Sequence, residues 1–173
     1  EDLKSLASNM MIAVLIIYII LGGQLRSYIQ PIIIMSAVPF GVVGAILGHF
    51  FLGFDLTFIS LFGIVALTGV VVNDSVVLMD YLNKRRLEGT TITESSVLAV
   101  RRRFRPILLT TLSTCLGLLP MMLETSVQAQ FLIPMVVSLS TGILFVTPIV
   151  LILVPALVVA YEDIKNIARR FVG

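Results

Sequence analysis

The stretch GIVALTGVVVNDSVVLMDYLNKRR, residues 63–86, decides the fold. It is an apolar run long enough to cross a bilayer, and it ends in three basic residues, Lys84, Arg85 and Arg86. Inside it lies a polar triplet, Asn73, Asp74 and Ser75. A charged side chain at the centre of a membrane helix costs about 2.5–3.5 kcal/mol on insertion scales. A sequence that keeps an acid there neutralises it, pairs it or uses it. Asp74 precedes Lys84 by about ten residues, roughly 15 Å at the rise of an α-helix, which places it inside the hydrocarbon.

Composition agrees with a membrane chain. Of 173 residues, 58% are hydrophobic and 13% charged, with mean hydropathy +1.07. A soluble domain is nearer 45–50% apolar and about 25% charged. The net charge of +2 says little about partners, and nothing points to nucleic acid. Cys115 is the single cysteine, which excludes an internal disulfide and a thiol metal cluster. The chain opens Glu-Asp-Leu-Lys, without an initiator Met or a signal-peptide pattern, and is expected to be one membrane-domain fragment, 1–173, of a longer protein.

Five apolar segments are predicted as transmembrane helices, over about 5–21, 31–52, 57–82, 106–123 and 134–161. Each approaches or exceeds the roughly 17–25 residues that a crossing needs. Gly22-Gly23 is expected to end the first. Pro31 and Pro106 open the second and fourth, as prolines do at a first helical turn. Pro134, Pro148 and Pro155 predict a kinked or tilted fifth. Arg26, the seven basic residues of the third loop (Lys84, Arg85, Arg86, Arg101, Arg102, Arg103, Arg105) and Lys165, Arg169 and Arg170 all fall on one side. Lys4 alone falls on the other. The positive-inside rule then puts the N-terminus outside and the C-terminus in the cytoplasm.

Within that basic loop, Thr91 and Glu94 fit a capping box, and Val97, Val100 and Phe104 follow at helical spacing between arginines. This predicts a short amphipathic helix over about 92–104 on the cytoplasmic face; a plain topology determinant attracted to anionic lipid would look the same. Gly41, Gly44 and Gly48 on the second segment would let helices approach closely, more within the chain than between chains.

Asp74 leads the residues that could carry chemistry. A carboxyl held near the working pH can take and release a proton; the alternative is a hydrogen-bonded acid that fastens helices together. Asn73 both donates and accepts and would share a polar edge with Asp74. Thr110 and Thr114 share a helix face and could reach Asp74 across an interface, although membrane threonines mostly bond their own backbone. Asp80 is placed to pair with Lys84. His49 stands alone and makes a poor metal site, and the seven methionines are too dispersed for a soft-metal ladder. Walker A, HExxH, GxSxG and CxxC motifs are absent. No enzyme activity, cofactor or metal is expected, and an intramembrane aspartyl enzyme would need a second acid at depth.

The string GVVVNDSVVLMDY, the basic loop after it, AVRRRFRPILLTTLSTCLGLLP and VPFGVVGA in the second segment together resemble the C-terminal membrane half of RND (resistance-nodulation-cell division) efflux transporters of the acriflavine-resistance, hydrophobe/amphiphile type. The resemblance implies the last five of twelve helices, half of an all-α bundle. It implies as partners an N-terminal membrane half bearing paired aspartates, periplasmic domains, a homotrimer, a periplasmic adaptor and an outer-membrane channel. It implies drug/proton antiport across the bacterial inner membrane. The family's relay lysine falls at Asn73 and the asparagine after it at Asp74. Its relay threonine matches Thr110 and its cytoplasmic arginine matches Arg103. A neutral amide followed by an acid thus replaces the cation. Either Asp74 takes over part of the protonation chemistry, or coupling runs differently. An exporter of amphiphiles is the leading expectation; a lipid or protein-translocation relative and a non-transporting scaffold are the alternatives.

Overall fold

A computed structural model describes the backbone of residues 2–172 and the side chains of that range except those of residues 2–7, 10 and 170–172. The described residues form seven helices and no strand: α1 (Asp2–Leu25), α2 (Gln30–Met35), α3 (Val38–Leu52), α4 (Phe58–Leu87), α5 (Ile92–Met122), α6 (Val127–Gln130) and α7 (Ile133–Val172). Four spans are long and apolar enough to cross a membrane: Gln30–Leu52, which joins α2 and α3, Phe58–Leu87, Ile92–Met122 and Ile133–Arg169. The remaining expected crossing, the first, corresponds to α1. Its described apolar part, Met11–Leu25, is shorter than a crossing, and the rest of the expected 5–21 lies partly among side chains outside the described residues.

Several boundaries differ from the sequence reading, each for a local reason. α1 runs past Gly22-Gly23, and the chain turns only at Arg26, whose φ of +50° is left-handed. The second segment is broken at Ser36-Ala37. Pro39 has no N–H for the carbonyl four residues back, and its ring crowds that carbonyl, so the ladder is interrupted one turn earlier. The separate amphipathic helix expected over 92–104 is instead the first half of α5, which continues through Pro106 without a break. α7 is likewise continuous through Pro148 and Pro155 and extends to Val172, well past 161. At 1.5 Å per residue it is roughly 60 Å long, about twice a hydrocarbon core, so one end stands clear of it.

Termini are set by short polar signals. At the start of α4, the Thr57 side chain accepts from Ser60 N–H while the Ser60 hydroxyl accepts from Thr57 N–H, a complete capping box. Thr91 accepts from Glu94 N–H at the start of α5. Gly89, at φ +90°, supplies the left-handed turn between α4 and α5.

α7 is the central post, packed on one side by α3 and α4 and on another by α5. The core joins Leu67, Val71, Leu78, Met79 and Leu82 of α4 to Ile143, Val146, Val150 and Val154 of α7. In lipid the burial of such side chains gains little from leaving water, so close approach and interhelical hydrogen bonds carry more of the association. The glycines show where that approach occurs. A Cβ added to Gly44 would meet Phe145 Cβ at 2.5 Å; one on Gly48 would collide with the Thr141 side chain. One on Gly41 would press on Leu67, and one on Gly63 would strike the Met135 carbonyl of α7. α5 is joined to α7 by polar contacts as well as packing. Thr147 donates to the Ile143 carbonyl at 2.8 Å, so Thr111 must be the donor in the 2.8 Å Thr111–Thr147 contact. The Cys115 thiol points at the Ser140 carbonyl one turn further on.

Candidate functional site

The candidate site lies along one edge of α4. The buried positions of this helix, among them Ser60, Gly63, Ile64, Leu67, Thr68, Val71, Ser75, Leu78 and Leu82, face its neighbours. The opposite edge is open: Phe62, Ala66, Gly69 and Asn73 are exposed. Their spacing of three to four residues makes them one stripe. Asp74 stands at its border, half-buried. The helix therefore carries a lining of small residues and a polar pair on a side that nothing in the described chain covers.

Asn73 and Asp74 make no side-chain hydrogen bond, and Asp74 has no cationic partner, among the described residues. Ser75 is spent locally, its hydroxyl donating to the Val71 carbonyl at 2.8 Å. Thr110 does not join Asp74. Its hydroxyl is given to the Pro106 carbonyl and the side chain is exposed. The contact expected between Thr110 and Asp74 is therefore replaced by self-bonding. The hydroxyl of this segment that does cross an interface is its neighbour Thr111. Nothing in the sequence separates the two, because α5 is apolar on most faces and its phase is not marked.

Beyond Asp74, toward the basic end, charges are fixed by neighbours. Asp80 and Lys84 form the expected i,i+4 pair at 2.7 Å. Two guanidiniums approach the Tyr81 ring, Arg85 at 5.4 Å and Arg103 at 5.5 Å from its centroid. Arg85 also donates to the Tyr81 hydroxyl and pairs with Glu88. Arg103 is thus held by the face of an aromatic ring, and its Nε is buried without a hydrogen-bond partner. Arg86 reaches Glu162 of α7 at 3.1 Å, and Gln30 and Asn83 exchange two amide hydrogen bonds of 2.9 and 2.8 Å. These contacts fix the ends of α2, α4, α5 and α7 on the basic side of the bundle to one another. Sequence reasoning missed the Tyr81–Arg103 contact and the Arg86–Glu162 pair, since both join residues that only the fold brings together.

At the far end of α4, His49 is structural. It is buried, with Nδ1 3.0 Å from the Ala45 carbonyl and Nε2 3.0 Å from Ser60 Oγ. A carbonyl only accepts, so Nδ1 carries the proton and Nε2 accepts from Ser60. Among the described residues no group of three or more His, Cys, Asp or Glu is placed to hold a metal ion.

The geometry defines a bundle of membrane helices with one helix edge left open at an unpaired intramembrane acid. Residues 2–162 match the AcrB/AcrD/AcrF family, and the chain belongs to that family of efflux transporters. Two crystal forms of a heavy metal efflux pump are similar in structure. One superposes with a TM-score of 0.82 at 26% identity, covering 91% of this chain and 15% of that one. The other gives 0.80 at 27% identity, covering 94% and 16%. The chain thus spans about one sixth of the length of the pumps it matches.

Proposed function

We propose that this chain is part of the inner-membrane domain of a proton-driven exporter, with α4 as its coupling helix. The N-terminus lies on the periplasmic side and the basic end in the cytoplasm, in keeping with the distribution of Lys and Arg. The observation that carries the reading is Asp74: an acid in the inner half of a membrane helix, half-buried and unpaired, beside Asn73 on an open edge. A structural acid would be held by a donor within the bundle; this one is left to a partner outside the described chain. Helices of the other membrane half cover the edge, and protonation of Asp74 changes how tightly the two halves hold together. Asn73 hydrogen-bonds across that joint, and Arg103 anchors the cytoplasmic end of α4 through Tyr81.

The exported compounds are amphiphilic small molecules, handled by periplasmic domains of a homotrimer that works with an adaptor and an outer-membrane channel. A metal-ion exporter is the second reading, favoured by the likeness to a heavy metal efflux pump. Growth and efflux assays of cells carrying the full transporter separate the two. Amphiphilic dyes exported at a rate that falls at least tenfold in Asp74→Asn support the first. Protection against metal salts without dye export replaces it with the second. Export of both classes by Asp74→Asn at the wild-type rate removes α4 from the coupling role.

A further inference from the structure

His49, 2% exposed, is the only buried ionisable side chain among the described residues. It sits in the last turn of α3 and plays no part in the coupling site. Its partner Ser60 lies roughly 20 Å from Asp74 at the rise of an α-helix. The hydrogen bonds around it fix every proton. Nδ1–H is given to the Ala45 carbonyl and Ser60 donates to Nε2, each at 3.0 Å. Ser60 has one hydroxyl hydrogen, and it is committed to His49. In the 3.3 Å contact between the Ser60 and Thr57 hydroxyls, Thr57 is therefore the donor. Thr57 N–H also donates to Ser60 Oγ at 3.0 Å, and Ser60 N–H to Thr57 Oγ1 at 3.3 Å. Thr57 is exposed, so a line of donors runs from water through two hydroxyls to the imidazole.

Every link in that line reverses without moving a heavy atom. A hydronium ion gives a proton to Thr57 Oγ1 and leaves as water. The Thr57 hydrogen passes to Ser60 Oγ, and the Ser60 hydrogen passes to Nε2. The ring is then an imidazolium donating from both nitrogens, to Ala45 and to Ser60, while Ser60 donates to Thr57 and Thr57 to water. One proton has entered, and no buried donor is left without an acceptor. Both backbone bonds of the capping box survive. We infer that His49 is a proton-binding site, loaded through Thr57 and Ser60 from the face of the bundle opposite the basic end. No ion pair governs it. Residues 58–72 of α4 and 133–160 of α7, the helices packed against this end of α3, carry no ionisable side chain, and the turn between α3 and α4 carries only Asp55, which is exposed. The C-terminal dipole of α3 favours a cation at His49, and the N-terminus of α4 opposes it. That the proton comes from the periplasm rests on the orientation proposed above; its binding does not.

The test is solid-state NMR of the full transporter in lipid bilayers with ring-15N histidine, the His49 signals being the difference from His49→Gln. At about pH 8 the site predicts a neutral ring with its proton on Nδ1. As the pH is lowered to about 5, through the range in which histidines titrate, it predicts a ring protonated on both nitrogens. Ser60→Ala takes away the acceptor of Nε2–H, a charge-assisted bond stronger than the one Ser60 makes to the neutral ring. Thr57→Val takes away the acceptor of the Ser60 hydroxyl. Each should lower the titration midpoint by roughly 0.5–1 pH unit, the contribution of one hydrogen bond. Thr57→Ser keeps the hydroxyl and should leave the midpoint in place, which separates the relay from a general loosening of the corner. A ring still neutral at about pH 5, a neutral ring with its proton on Nε2, or a midpoint unmoved in both Ser60→Ala and Thr57→Val would each overturn the inference. Asp74→Asn should leave the His49 titration unchanged. A titrating His49 in a transporter whose Asp74→Asn variant moves protons at the wild-type rate keeps this site and ends the coupling role of α4; a silent His49 with flux lost in Asp74→Asn does the reverse.

Discussion

The two long edges of α4 are built on opposite terms. On the inner edge, Gly63 lies so close to α7 that a methyl group would strike the Met135 carbonyl and come within 2.8 Å of Ser138 Cβ. On the outer edge, Gly69 has nothing within 4 Å of where its Cβ would stand. Both are glycines on one helix, six residues apart. The inner edge places every hydroxyl: Ser60 bonds His49, and Thr68 and Ser75 bond their own backbone. The outer edge leaves Asn73 and Asp74 without side-chain partners among the described residues. A helix whose one side is closed and polar-satisfied and whose other side is open and polar-unsatisfied is a joint. The closed side belongs to this bundle, and the open side is where the proposed function places a second one.

The largest effects should come from the closed edge. Gly63→Leu should prevent α4 from seating on α7, so that no folded transporter is recovered. Gly63→Ala should lower stability by about 1–3 kcal/mol, the usual cost of overpacking a fitted contact. Gly69→Ala should stay within about 0.5 kcal/mol of wild type, as substitutions away from contacts do. Thermal unfolding in detergent compares the pair directly. Equal losses at the two glycines would erase the distinction between the edges.

His49→Leu comes next. It leaves the Ala45 carbonyl with one acceptor site unused and takes from the Ser60 hydroxyl the acceptor it shares with α3, for a loss of about 1–3 kcal/mol. Retained stability would mean that the α3–α4 corner is set by Gly53, left-handed at φ +72° at the end of α3, and the Thr57–Ser60 capping box alone. Thr111→Val and Thr147→Val, combined in a double-mutant cycle, should show a coupling of about 0.6 kcal/mol, typical of interhelical hydrogen bonds in membranes. Additive losses would show that α5 is held by packing alone. The smallest effect belongs to Lys84→Ala. The Asp80–Lys84 pair is largely solvent-exposed, and its removal should cost no more than about 0.5 kcal/mol and less at high salt.

Much of this was legible in the sequence because the bilayer imposes it. Length and hydropathy mark the spans, and the lopsided Lys and Arg order them. The i,i+4 rule finds Asp80–Lys84, and Gly41, Gly44 and Gly48 mark a face for close approach. What was not legible depends on helix phase and on distant partners. In a soluble helix the apolar stripe shows which way each residue points; a membrane helix is apolar all round, so Thr110 and Thr111 look alike. The same uniformity hid the lone His49, whose partner Ser60 lies across a turn. Pro106 reads as a helix start because proline favours that place, yet α5 carries it inside, where a missing N–H and a crowded carbonyl are tolerated in a long helix within lipid. The resemblance to a family pointed to Asn73, Asp74, Thr110 and Arg103 as candidate positions, but only the fold shows that Asp74 has no partner among the described residues.

The central claim is that Asp74 is the proton-bearing group of the open edge. The direct measurement is proton movement through the full transporter in liposomes, followed with a pH-sensitive dye while substrate is transported. Asp74→Asn keeps the volume and hydrogen-bonding capacity of the side chain and removes only its ability to ionise. The account predicts that substrate-dependent proton flux falls to background in Asp74→Asn while the protein melts within about 1 °C of wild type, since a surface-like change without lost contacts moves stability little. Wild-type flux from Asp74→Asn would contradict it and return the acid to a role in packing.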